Sequence, residues 1–105
     1  ERIIDELMPR LVEDNVREFL AKKLGLTEAI MEGADYDVDA LLLKFQKPAV
    51  AIEIKWKKNI SAEEVKKAEE SLEKTKAQEK WLFVQDKKNF KHRTKLRVVD
   101  ISDFL

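Results

Sequence analysis

Apolar residues recur at spacings of three and four over residues 3–24: Ile4, Leu7, Met8, Leu11, Val12, Val16, Phe19, Leu20 and Leu24. That period lays one broad apolar stripe along a helix. Pro9 falls inside the pattern. Proline suits a first turn and not a helix interior, so the main helix starts near it or kinks there. Gly25, following Lys22 and Lys23, supplies a C-terminal stop. Residues 26–33 carry no clear period and read as loop, short helix or weak strand. The pattern then predicts a strand from Tyr36 to Phe45, a turn at Gln46-Lys47-Pro48 and a second strand from Ala49 to Trp56. So short a turn pairs the two as an antiparallel hairpin.

Ser61-Ala62-Glu63-Glu64 reads as a capping box, with Ser61 as N-cap and Glu64 three residues on. The helix it opens runs to about Lys76 with a narrow apolar stripe of Val65, Ala68 and Leu72. Glu63–Lys67 and Glu70–Lys74 stand at i,i+4 in the favourable order. Trp81 to Val84 is a third strand, Asp86 to Lys95 a basic loop and Leu96 to Ile101 a last strand; Ser102 to Leu105 begins a further helix. A helix between strands 49–56 and 81–84 implies a parallel crossover. The expected fold is one α/β domain over residues 1–105, a mixed sheet flanked by helices.

Composition narrows the chemistry. The chain has 105 residues, 44% hydrophobic and 40% charged, against roughly 25% charged in ordinary soluble domains. A surface of Lys and Glu without Cys is the drift of proteins from hot environments. The absence of Cys excludes disulfides, thiolate zinc sites and cysteine nucleophiles. A single histidine, His92, excludes sites needing two imidazoles, and two glycines exclude phosphate-cradling glycine loops. The longest apolar runs, near 40–43 and 48–52, fall far short of the ~20 residues a membrane span needs. No signal peptide is visible, so the expected location is the cytoplasm. The chain starts at Glu1 without Met, as expected of a piece of a longer protein.

The zero net charge hides a gradient. Residues 1–40 carry 5 basic and 11 acidic groups, whereas residues 74–97 carry 9 and 2. A basic block beside an acidic front half suits a polyanion held near clustered carboxylates, although a solvated surface has the same composition.

The informative stretch is Tyr36-Asp37-Val38-Asp39 followed by Glu53-Ile54-Lys55. Strand alternation puts Glu53 and Lys55 on one face, and Asp37 and Asp39 on one face, and hairpin pairing can bring Asp39 beside Glu53. Carboxylates from different strands are the oxygen donors a hard ion such as Mg²⁺ or Mn²⁺ takes. Mutual neutralisation of Lys55 and neighbouring acids is the plain structural alternative. Trp56 and Trp81, at strand ends, suit core packing better than base stacking.

Asp39, thirteen intervening residues, then Glu53-Ile54-Lys55 resembles the signature of the PD-(D/E)xK nuclease superfamily, which includes restriction endonucleases and archaeal Holliday junction resolvases. The resemblance implies a restriction-endonuclease-like αβββαβ core and metal-dependent hydrolysis of DNA phosphodiesters. It implies that Asp39, Glu53 and the Ile54 carbonyl hold Mg²⁺ or Mn²⁺, that Lys55 positions the attacking water, and that Glu13 on the first helix supports a water or a second ion. DNA contacts then fall to Lys57, Lys58, Lys87, Lys88, Lys91, Arg93 and Lys95, with His92 a candidate proton shuttle. Val38 stands where the superfamily has Pro, and the Gln-x-x-x-Tyr signature of one exonuclease branch is absent after Ser61.

Residues 37–74 also resemble the nuclease-like domain of unknown function at the C-terminus of archaeal AAA-type ATPases, notably in Glu53-Ile54-Lys55-Trp56-Lys57 and Lys66-Lys67-Ala68-Glu69-Glu70. That implies an upstream ATPase portion. It also keeps open a catalytically inactive module for nucleic-acid or protein binding, or for assembly. A homodimer is compatible with either.

Overall fold

The computed structural model describes residues 14–29 and 38–105. Helix α1 is described over 14–24 and ends as the glycine predicts. Gly25 adopts a left-handed φ of 67°, Gly25 N donates to the Lys22 carbonyl at 3.3 Å, and Leu26 N donates to that of Ala21 at 2.9 Å. This paired closure satisfies two of the carbonyls a helix end leaves over.

Five strands follow: β1 (Thr27–Glu28), β2 (Ala40–Lys44), β3 (Lys47–Lys55), β4 (Glu79–Val84) and β5 (Arg97–Val99), with helix α2 (Ala62–Glu73) between β3 and β4. They form one sheet in the order β1-β2-β3-β4-β5. The first three pair antiparallel and the last two join in parallel. The α/β fold with a mixed sheet is the one the resemblance implies.

Several boundaries differ from the sequence pattern. Residues 26–33 contribute the short strand β1, and residues 30–37 lie outside the described part. The hairpin turn is Phe45-Gln46, not Gln46-Lys47-Pro48. Both turn residues have positive φ, 52° and 65°, the two-residue geometry whose twist matches that of the strands. Pro48 sits in β3 beside a register shift, where Leu42 pairs with Val50 but Leu43 pairs with Pro48. A residue without an N–H is tolerated at such a bulge, so the proline marks the bulge and not the turn. Helix α2 ends at Glu73 and not near Lys76, β5 spans Arg97–Val99, and Ile101–Phe104 is a 3₁₀ turn.

The core forms two layers. Val16 and Leu20 of α1 pack on Leu42, Val50, Ile52, Ile54 and Phe83 on one sheet face. Ala68 and Leu72 of α2 pack on Leu41, Ala51, Leu82 and Val84 on the other. Alternation along β3 therefore turns Val50, Ile52 and Ile54 towards α1 and puts Glu53 and Lys55 on the α2 face with Ala51. Trp81 is buried as expected of a core residue: Phe104 lies 5.7 Å away and Arg97 covers the ring at 4.9 Å. Trp56 stacks on Phe83 at 6.5 Å.

Candidate active site

The β2–β3 ladder is regular from Leu42↔Val50 to Ala40↔Ile52 and then stops. One residue beyond it, the Asp39 carboxylate accepts the Ile54 backbone N–H through Oδ2 at 2.7 Å. A strand residue's N–H and C=O point to the same edge in an antiparallel pair. The Ile54 carbonyl therefore faces the gap that opens between the diverging strands, beside Asp39. Glu53, half-buried, precedes Ile54 on the α2 face of the sheet, and Lys55, also half-buried, follows it. The hydrogen bond thus sets the Asp39 carboxylate against the segment Glu53-Ile54-Lys55. Glu13 and Asp37 lie outside the described residues.

Arg17 of α1, which has no counterpart in the sequence motif, closes the other side. Its Nη1 donates to the Asp39 carbonyl at 3.3 Å, its Nη2 pairs with Asp14, and its Nε lies 3.9 Å from Glu28. The Nε is buried and makes no hydrogen bond. No spacing rule could have found this residue, because the contact joins a helix to a strand end 22 positions away.

Among the described residues no three His, Cys, Asp or Glu side chains gather as a metal cluster. Mg²⁺ does not require one: it is bound by one or two carboxylates, with the remaining oxygens from carbonyls, water and phosphate. Asp39, Glu53 and the Ile54 carbonyl form an all-oxygen set of that kind. One hydrogen bond to Asp39 leaves further lone pairs on a carboxylate that has about four acceptor sites. The donor set fits the ion.

Beyond Lys55 the chain is tied to α2. Lys57 Nζ contacts both Glu64 oxygens, at 2.8 and 2.9 Å. The same carboxylate accepts the Ser61 N–H at 3.2 Å while Ser61 Oγ accepts the Glu64 N–H, the reciprocal cap read from the sequence. The Lys57 hydrogen bond holds the Glu64 carboxyl below its ordinary range. The carboxyl ends of the parallel strands β3 and β4 border a small pocket lined by Lys57, Lys58, Ile60, Asn89 and His92 among others. His92 is half-buried, and its Nε2 meets the Ile60 carbonyl at 2.5 Å, which requires the proton on Nε2.

The basic block is more restrained than its composition suggests. Lys95 pairs with Glu73 and Lys87 with Asp103. Glu69 accepts the Thr94 hydroxyl at 2.7 Å, which lowers its pKa. Asp100, buried, accepts the Lys87 N–H at 3.0 Å and the Ser102 N–H at 2.9 Å, and these bonds hold its carboxyl below the usual range. Glu69 and Glu73 thus face the β4–β5 connection, while Glu63–Lys67 and Glu70–Lys74 do not close as ion pairs. Lys58, Lys88, Lys91 and Arg93 are exposed and make no ion pair among the described residues.

The profile of the restriction endonuclease family Mrr_cat matches residues 4–96. No curated protein matches, and no solved structure matches. Among the described residues, no helix is long and apolar enough to cross a membrane.

Proposed function

The chain belongs to the restriction endonuclease family Mrr_cat, and we propose on that footing that it hydrolyses DNA phosphodiesters with a divalent metal, Mg²⁺ or Mn²⁺. The observation that carries the reading is the Asp39–Ile54 hydrogen bond. It sets a carboxylate of one strand beside the Glu53-Ile54-Lys55 segment of the next, where the ladder ends.

Asp39, Glu53 and the Ile54 carbonyl would hold the metal. When bound, such an ion supplies Lewis-acid stabilisation of the charge that builds on the attacked phosphate and favours deprotonation of water. The protein's own groups do the rest. Asp39 is oriented from both sides, by the Ile54 N–H at its carboxylate and by Arg17 at its carbonyl. Lys55, on the same face as Glu53, is an ammonium that orients the attacking water or a phosphate oxygen. Glu13, which lies outside the described residues, would support a water or a second ion, as the family resemblance implies.

DNA approaches over Lys57 and Lys58 and along Lys87, Lys88, Lys91, Arg93 and Lys95. Phosphate contacts of this kind position a duplex without reading its sequence. The domain works beside an upstream ATPase portion in this reading, on the resemblance of residues 37–74, and a homodimer would present two such sites to a duplex.

The test is cleavage of single-stranded, duplex and four-way-junction DNA with Mg²⁺ or Mn²⁺, for wild type, Glu53→Ala and Lys55→Ala. Metal-dependent cutting that vanishes in both variants supports the reading. Failure of a folded, metal-supplied chain to cut any of the three substrates overturns it in favour of a binding module.

A further inference from the structure

At the far end of the β2–β3 hairpin, four features oppose stability together. Phe45 is 87% exposed. It also holds a φ of 52°, a region that bulky side chains avoid and that hairpin turns normally give to Asn, Asp or Gly. Gln46 beside it is likewise left-handed, at 65°. Lys44 and Lys47 stand directly opposite each other across the last pair of the ladder, and like charges in that position repel. Neither lysine makes an ion pair among the described residues. Lys44 Nζ instead lies 5.9 Å from the Phe45 ring centroid. Pro48, Ala49 and Gln78 complete a shallow depression beside the ring.

Strain and repulsion held without compensation from packing are the pattern of a contact surface. The chemistry selects the partner. An exposed aromatic face flanked by two ammonium groups matches a base with its neighbouring phosphates, since every base offers a π-face and every linkage a negative charge. An apolar protein partner would gain from Phe45 but would have to bury two repelling lysines. We propose that the Lys44-Phe45-Gln46-Lys47 tip is a second nucleic-acid contact, with Phe45 stacking on an unpaired base and Lys44 and Lys47 on the flanking phosphates. It rests on the reading of the chain as a DNA-processing enzyme only in the choice of DNA as the nucleic acid. The tip lies at the opposite end of β3 from Lys55, about 26 Å away at about 3.3 Å per residue, so it holds the strand away from the chemistry.

The experiment is fluorescence anisotropy of the chain with a labelled oligothymidylate and with a blunt duplex, without divalent metal, alongside thermal melting. Phe45→Gly should bind the single strand about tenfold more weakly, with a smaller loss on the duplex, whose bases are already stacked. Its melting temperature should hold or rise, because glycine accepts the positive φ without strain. Phe45→Trp should bind at least as well as wild type and show added quenching of tryptophan emission on binding. Lys44→Ala and Lys47→Ala should each flatten the salt dependence of single-strand binding, by about 0.7 in log–log slope.

Single-strand binding by Phe45→Gly equal to wild type, or no binding by wild type, overturns the proposal. So does a change in sedimentation of the free Phe45→Gly chain with unaltered DNA affinity, which would make the tip a protein interface. Lys55→Ala separates the two readings. If it cuts as well as wild type, the placement of the chemistry at Lys55 fails, and if wild type cuts nothing the nuclease reading fails; in both cases the tip is judged by anisotropy alone. If it abolishes cutting while Phe45→Gly binds normally, only the tip fails.

Discussion

The Asp39 carboxylate takes the backbone N–H of Ile54 at the point where β2 and β3 stop pairing. One side chain thus ends a ladder and stands beside a candidate metal ligand. These two duties can be separated experimentally. Asp39→Asn keeps an oxygen for the Ile54 N–H and removes the charge a metal needs. Its stability should stay close to wild type while cleavage and Mn²⁺ binding, followed by calorimetry, are lost. Asp39→Ala removes both and should cost roughly 1–3 kcal/mol in urea unfolding as well, the usual penalty for a buried donor left unmade. Loss of stability without loss of metal binding would make Asp39 purely structural.

The cations fall into two groups by their partners. Lys57, Lys87 and Lys95 are engaged by Glu64, Asp103 and Glu73, whereas Lys58, Lys88, Lys91 and Arg93 have no acidic partner among the described residues. Replacing each of the second group by Ala should weaken DNA binding uniformly across sequences and lower the salt slope by about one apiece. Replacing members of the first group should change the slope less, because their charge is already offset. Equal slopes for both groups in a salt titration would reject this division.

Ser61→Ala removes the hydroxyl that accepts the Glu64 N–H. A lost N-cap costs about 1 kcal/mol, measurable as a lower urea midpoint with an unchanged m-value. Because Glu64 also holds Lys57, Glu64→Ala should loosen the segment after Lys55 too. Faster amide exchange at 56–60 in Glu64→Ala than in Ser61→Ala would show that coupling.

The pH dependence follows from carboxyls held below their ordinary range. Glu64 is lowered chiefly by Lys57, Asp100 chiefly by the Lys87 N–H, and Asp103 chiefly by the Lys87 ammonium. A depressed native pKa contributes stability that is present above the unfolded-state value. That stability is lost as pH falls through the native value. Stability should therefore stay level on this account above about pH 5 and decline below about pH 4. Asp100→Asn should blunt that decline. The Lys87 pKa is raised by Asp103, so its share is complete below the ordinary lysine range and disappears as pH rises past the native value. A urea midpoint that does not move between neutral pH and pH 3 would refute the acid branch.

Local signals proved legible wherever the deciding interaction is itself local. Gly25 ends α1 because only a left-handed residue closes that helix, and Ser61 with Glu64 caps α2 across three residues. Alternation along 50–55 separates Ile52 and Ile54 from Glu53 and Lys55, so the Glu-x-Lys pair is legible as sharing one sheet face from spacing alone. The turn lies at Phe45-Gln46 and not at Pro48, because proline carries a turn preference as well as a tolerance for bulges and the ladder register selects the bulge.

Period and residue type suffice to predict the existence of α1 and α2, the alternating strands and the candidate ligands, since each is a short-range property of the chain. That Asp39 bonds Ile54, that Arg17 reaches the Asp39 carbonyl, and that Glu73 and Asp103 engage part of the basic block emerge from the packed fold alone. Those contacts join residues 15 to 22 positions apart, and their partners are interchangeable in type. A chain in which two residues of every five are charged offers many acids to each lysine, and packing of the sheet selects among them.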